Sequence, residues 1–134
     1  MGFVGGAGFA NLDLLYAGLE KIPEEGQEVY AREFDMQLGG GVPATMINLS
    51  RLGIDSKLLT FVGEDFFSQF VTRALEGYGV QTINLYKGSG RPITLSSVMV
   101  CGGDRSIVSY QDRVEITPHY LEQVYRQLHG AKVV

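Results

Sequence analysis

The period of apolar and polar positions changes several times along the chain. Phe3 and Val4 read as a short first strand, and Gly5-Gly6-Ala7-Gly8 as a glycine turn after it. Asn11-Leu12-Asp13 sets two polar side chains around an apolar one, and Leu14 and Leu15 continue the apolar run. Pro23-Glu24-Glu25-Gly26 is a turn. From Gln27 to Leu38, apolar Val29, Phe34, Met36 and Leu38 alternate loosely with polar residues, which predicts one or two strands with a solvated face. Gly39-Gly40-Gly41-Val42-Pro43 then opens a helix. Pro43 suits its first turn, Ile47, Leu49 and Leu52 give it an apolar face, and Gly53 ends it. Leu58 to Val62 is apolar except for Thr60 and suits a buried strand of a parallel sheet. Phe67, Phe70, Val71, Ala74 and Leu75 fall at helical spacing, with Asp65 as the expected cap and Gly77-Tyr78-Gly79 as the stop.

Beyond that helix, Ile83 to Leu85 reads as a short strand. Ile93 to Val100 and Ser106 to Tyr110 read as a hairpin turning at Gly102-Gly103-Asp104. Thr117-Pro118 opens a third helix with Leu121, Val124, Tyr125 and Leu128 on its apolar face. A further strand begins near Lys132, and its pairing and crossover would lie beyond Val134, so the chain reads as part of a longer protein. Helices alternating with buried strands predict an α/β fold with a mostly parallel sheet. The Gln27–Leu38 and Ile93–Tyr110 stretches are more polar on one face and read as a separate small sheet or lid.

Composition narrows the classes. Of 134 residues, 45% are hydrophobic and 19% charged, enough for a sizeable core. Glycine occurs 18 times without a three-residue period, mostly between apolar runs. Eleven Lys and Arg against fifteen Asp and Glu leave a net charge of −4 and no basic run, so neither nucleic acid nor an anionic membrane is an expected partner. No apolar run approaches a membrane span, the start has no signal-peptide pattern, and one cysteine, Cys101, forms no internal disulfide. The expected location is cytoplasmic.

Few residues carry a chemical argument. Gly39-Gly40-Gly41 entering a helix exposes backbone N–H groups with little obstruction, suited to a carboxylate, a phosphate or sugar hydroxyls, or simply to a tight turn. Asp13 is expected near the end of the first strand, where α/β sheets bind ligands. Its carboxylate could accept from vicinal hydroxyls, and Asn11 could line the same crevice. A dinucleotide fingerprint fails because Asn11 stands where its third glycine is needed, and there is no phosphate loop of the GxxxxGK[ST] type. His119 and His129 lack a third metal ligand, and Cys101 lacks a partner base.

Four stretches nevertheless match a known pattern in order and spacing. They are Gly8 to Asp13, Leu38 to Gly53, Phe61-Val62-Gly63-Glu64-Asp65 through Leu75 with Gly79-Val80, and Gly103-Asp104-Arg105-Ser106-Ile107. Together they resemble the N-terminal part of the ribokinase-like, or PfkB family, carbohydrate kinases across nearly all 134 residues. The resemblance implies a mostly parallel sheet flanked by helices, with a small β-sheet lid built by strands near 27–38 and 93–110. It implies transfer of the γ-phosphoryl group of ATP, with Mg2+, to a hydroxyl of a sugar, sugar acid or nucleoside. Asp13 would grip substrate hydroxyls, with Asn11 beside it and Gly40 and Gly41 approaching through backbone. Thr45 stands where the signature commonly has Asn. Lid strands would pair in a homodimer. The family's catalytic Gly-[Ala/Ser]-Gly-Asp motif is not found in residues 1–134: Gly102-Gly103-Asp104 lacks the spacing. Residues 1–134 are thus expected to be the substrate-binding part, with the C-terminal nucleotide-binding part absent. The parent would be an enzyme, and this chain alone would be inactive and a poor binder of ATP or Mg2+. The alternative is a non-catalytic α/β binding or dimerisation module.

Overall fold

The fold is that of a computed structural model, which describes residues 2–134. Its elements in chain order are β1 (Val4–Ala7), β2 (Asn11–Leu19), β3 (Glu33–Gly39), α1 (Gly41–Arg51), β4 (Ser56–Thr60), α2 (Phe66–Gly77), β5 (Gln81–Asn84), β6 (Thr94–Cys101), β7 (Asp104–Tyr110) and α3 (Pro118–Leu128). The strands divide into two sheets. The central one has the order β1-β4-β5, parallel throughout. The second has the order β3-β2-β6-β7 and is antiparallel except where β2 runs parallel to β6.

The central sheet is dry on both faces because β4 sends consecutive leucines in opposite directions. Leu58 and Leu59 are both fully buried. Leu58 joins Met46 of α1 with Val71 and Leu75 of α2, whereas Leu59 joins Phe61, Leu85 and Leu128 of α3. Helices therefore cover both faces, as the α/β expectation requires. β1 shows the same division in its glycines. A Cβ on Gly5 would lie 2.3 Å from Leu128 Cδ2, and one on Gly6 would lie 2.7 Å from Val42 Cγ1. The expected glycine turn is thus mostly strand: side chains are missing because helices press on β1 from both sides.

Other differences concern strand extents. β2 is a nine-residue strand where the sequence pattern offers only an apolar run. Its even positions Leu12 and Leu14 enter the core with Met36, Leu38 and Leu95. Leu15 and Ala17 on the opposite face are apolar as well, and this hides the alternation. The lid strand expected over 27–38 is confined to Glu33–Gly39, and residues 27–32 carry no strand. The strand expected over 58–62 spans Ser56–Thr60, and the one expected over 83–85 spans Gln81–Asn84. The hairpin of β6 and β7 forms around Gly102-Gly103 as expected. Thr117 occupies the cap position before Pro118, although its side chain makes no capping bond. Val133 bridges Val4 in parallel, so the last residues lie along the central sheet. No helix among the described residues is long and apolar enough to cross a membrane.

Candidate functional site

The pairings of β2 fix what stands beside Asn11 and Asp13. Asn11 is opposite Gly39 on β3 and Thr94 on β6, and Asp13 is opposite Gln37 and Ser96. Ser96 in turn is opposite Ser109 on β7. Residues paired in this way point to the same face of a sheet. Gln37, Asp13, Ser96 and Ser109 therefore form one polar row across four strands, with Gly39, Asn11 and Thr94 alongside. The alternate positions Leu12, Leu38 and Leu95 take the other face and enter the core. The sequence reading puts Asp13 near the end of the first strand. In the fold it is the third residue of β2, in the second sheet. β1 stops at Ala7, so β2 begins just past the carboxyl end of a central parallel strand, the end at which α/β sheets bind ligands.

Asp13 differs from the other well-placed aspartates in lacking a partner. It is half-buried, and among the described residues neither its carboxylate nor the Asn11 carboxamide makes a hydrogen bond or ion pair. Asp35, by contrast, accepts from the Met36 N–H and from Gln37 Nε2. That second bond partly engages Gln37, leaving Asp13, Ser96 and Ser109 as the working part of the row. Ser96 and Ser109 bond each other through their hydroxyls at 2.8 Å.

β3 leads directly into α1, and the three glycines at that corner have separate tasks. A Cβ on Gly39 would lie 3.1 Å from Asp13 Oδ2 and 3.1 Å from Asn11 Cβ, so glycine keeps the approach to the carboxylate open. Gly40 makes the turn, with φ +100° and its missing Cβ aimed at the Phe9 carbonyl oxygen at 2.8 Å. Gly41 is exposed, and a Cβ on it would meet nothing within 4 Å. α1 has no side-chain cap, its Ala44 N–H bonds the Gly40 carbonyl, and Pro43 has no N–H. Gly41 and Val42 thus carry the uncapped donors of this helix end. Thr45 Oγ1 donates to the Gly41 carbonyl at 2.9 Å, which engages its proton and leaves only lone pairs for another molecule.

The structure thus gathers Asn11, Asp13 and Gly39, sets Gly40 and Gly41 at the adjoining corner, and leaves Thr45 one helical turn further on. Ser96 and Ser109 escape sequence reasoning, and Gly39, read there as part of the helix-entry corner, proves to border the Asp13 carboxylate. Serines inside an apolar strand were the available signal, but only the β2–β6–β7 register puts them beside Asp13.

A second polar cluster follows β4 and β5. Asp65 caps α2 by accepting from the N–H groups of Phe67 at 3.0 Å and Ser68 at 3.2 Å, and its other oxygen accepts from Ser68 Oγ at 2.7 Å. Arg91 Nε lies 3.4 Å from Asp65 Oδ1. Asp112 accepts from the Arg91 backbone N–H and from the Tyr110 hydroxyl. The Arg91 N–H and then the Tyr110 hydroxyl hold the Asp112 carboxyl below its usual range, and the hydrogen bond to Asp112 raises the Tyr110 phenol. These acids join α2, the loop after β5 and the end of β7.

The Asp13 row suits a hydroxylated molecule and does not fit a magnesium–nucleotide complex. It holds one carboxylate and no cation, whereas bound Mg2+ takes carboxylates together with substrate phosphates in an octahedral oxygen set.

Comparison with known proteins bears on family and fold. The model of the pfkB family carbohydrate kinases matches residues 10–131. A Pyrococcus horikoshii protein provisionally named a sugar kinase is 29% identical over 89 residues, covering 66% of this chain and 29% of that protein. A ribokinase structure from Giardia lamblia superposes with a TM-score of 0.77 at 18% identity, covering 99% of this chain and 44% of that one. An Arabidopsis thaliana ribokinase complexed with ribose and ATP gives 0.65 at 24% identity, covering 82% and 36%. The chain spans less than half the length of each of these relatives. The fold is ribokinase-like, and the chain belongs to the pfkB family of carbohydrate kinases.

Proposed function

We propose that this chain is the acceptor-binding part of a kinase that transfers the γ-phosphoryl group of ATP to a hydroxyl of a sugar or related small molecule. One observation carries the reading: Asp13 is half-buried on the face it shares with Asn11, and among the described residues its accessible carboxylate has no partner. Neither Asp13 oxygen is sealed from solvent, so two neighbouring ligand hydroxyls can reach the carboxylate and take the place of water as donors. An ionised carboxylate only accepts, so it matches a molecule rich in O–H groups. Asn11 adds one donor group and one acceptor, the Gly41 and Val42 N–H groups add donors, and Thr45 adds lone pairs. The work of these residues is to bind and orient the acceptor hydroxyl. ATP brings the phosphoryl group, and residues outside the Asp13 row would hold it. The second sheet would act as a lid whose closure excludes water from the transfer. A cytoplasmic enzyme accords with this reading. The test is ADP release from ATP and Mg2+ by the full-length chain across sugars, sugar acids and nucleosides. Activity that persists in Asp13→Ala would remove the carboxylate from the mechanism.

A second reading, a dimerisation module, is favoured by β7. It is an edge strand exposed along all seven residues, including Ile107, Val108 and Tyr110. Such an edge is open to pairing with a second copy. Sedimentation over a concentration series tests it, and a monomer at every concentration would dismiss it.

A further inference from the structure

We infer that Ser109, held in place by Ser96, is a further acceptor contact beside Asp13, and that this row selects a neutral polyhydroxy acceptor over an anionic one. The inference rests on the acceptor-binding reading of the Asp13 face and deepens it.

The first support is an asymmetry within the serine pair. Their hydroxyl oxygens are 2.8 Å apart across β6 and β7, yet Ser96 is only 5% exposed while Ser109 is exposed. A buried hydroxyl needs a partner, and Ser109 is the side-chain partner that Ser96 has. The bond holds the Ser109 oxygen in place, whichever serine donates, and the remaining hydrogen-bonding capacity of Ser109 lies on its accessible side. Ser96 is opposite Asp13 and Ser109 opposite Ser96, so the accessible hydroxyl stands two strands from the carboxylate, roughly 10 Å at ordinary strand spacing. A molecule with hydroxyls at both ends can touch Asp13 and Ser109 together. Ser96 is then a positioning residue and Ser109 a contact.

The second support is charge. Gln37, Asp13, Ser96 and Ser109, with Asn11 and Thr94 alongside, contain a single ionisable group, and it is an acid. Arg91 is engaged with Asp65. Arg105 shares the face through its pairing with Val100, but it lies four residues along β7 from Ser109, about 13 Å at the strand rise. A carboxylate or phosphate on the acceptor would approach Asp13 with no cation in the row to offset it.

The experiment measures kcat/KM by ADP release with the full-length chain. Neutral aldoses, ketoses and alditols are compared with the matching aldonic acids and sugar phosphates, and wild type with Ser109→Ala, Ser96→Ala, Ser96→Thr and Asp13→Ala. The expected result is a preference of about tenfold or more for the neutral acceptor. Ser109→Ala should lower kcat/KM roughly 5- to 50-fold, mainly through KM. That loss should vanish on the one deoxy analogue lacking the hydroxyl that Ser109 meets. Ser96→Ala should show a smaller loss of the same pattern, which Ser96→Thr restores. Preference for an acid or phosphate overturns the selectivity. An inert Ser109→Ala beside an inactive Asp13→Ala overturns the serine contact and leaves the Asp13 reading standing. So does a Ser109→Ala loss equal on every deoxy analogue. Activity unchanged in Asp13→Ala, or absent from wild type on every compound, removes the acceptor-binding reading and this inference with it.

Discussion

Two acidic regions of the molecule use the same side chain in opposite ways. Around Asp65 and Asp112, both carboxylates receive backbone and hydroxyl donors, and Arg91 stands against Asp65. Around Asp13, no donor of the protein reaches the carboxylate. The first region links α2, the loop after β5 and the end of β7. The second links nothing to anything. A satisfied polar network fixes geometry, and an unsatisfied one marks a place where a partner from outside completes the set. Equal residue types thus differ in their hydrogen bonds, and on the proposed reading that difference separates a structural group from a functional one.

Substitutions test that separation. Asp13→Ala should show the largest effect, a fall of at least about a thousandfold in sugar-dependent ADP release by the full-length chain. Its melting temperature should stay level, because the carboxylate is open to solvent and makes no bond within the protein. A marked fall in melting temperature would mean that Asp13 also holds the fold. Next is the corner of α1. Gly40→Ala sets a side chain at φ +100° against the Phe9 carbonyl and should cost about 1–3 kcal/mol in urea unfolding. Gly41→Ala, in open space, should leave stability level or slightly improved. It should raise the sugar KM about tenfold if the acceptor fills that space; an unchanged KM would place the acceptor elsewhere.

Asp65→Ala should cost about 1–2 kcal/mol through the lost cap of α2, with the sugar KM little changed. An effect on KM without one on stability would move Asp65 into the functional group. The smallest effect concerns pH. Asp112 has a lowered pKa, so its contribution is present above the unfolded carboxylate pKa and is lost as pH falls through the folded one. Tyr110 has a raised pKa, so its contribution is present below the unfolded phenol pKa and is lost as pH rises through the folded one. Melting curves of Tyr110→Phe across pH should therefore lose part of the alkaline decline shown by wild type. Identical alkaline limbs would show that the pair adds nothing to stability.

Much of the central body was legible because its elements differ in period. α2 declares itself through Phe67, Phe70, Val71, Ala74 and Leu75, and β4 through a short apolar run bounded by glycine. Asp65 as a cap followed from its position ahead of that helix, and its two N–H bonds agree. β1 and β2 were harder for opposite reasons. Gly5 and Gly6 imitate a turn while packing against two helices, and Leu15 and Ala17 make a one-sided strand look uniformly apolar. At the candidate site, Asn11, Asp13, Gly40, Gly41 and Thr45 could be chosen by residue type and by family pattern. Ser96 and Ser109 could not. Their relation to Asp13 exists only through strand pairing, and β2 pairs with β6 across more than eighty positions of chain. No local pattern encodes such a register.

The link between β1 and β2 places a demand on inheritance. Residues 8–10 are all that separate Ala7 from Asn11, and Ala10 within them is fully buried. A single residue gained or lost in the link between Ala7 and Asn11, with the ladder positions kept, would turn the strand over. Leu12 would then take the face proposed to meet the acceptor, and Asp13 the core. Residues 20–32 lie outside the ladders and carry no such restriction, since lengthening a surface loop costs little. Among descendants of this sequence, changes in length should therefore collect between Glu20 and Arg32 and be purged from the few positions ahead of Asn11. Gaps in their aligned sequences would then mark out the strand that carries Asp13 before any of those proteins is assayed.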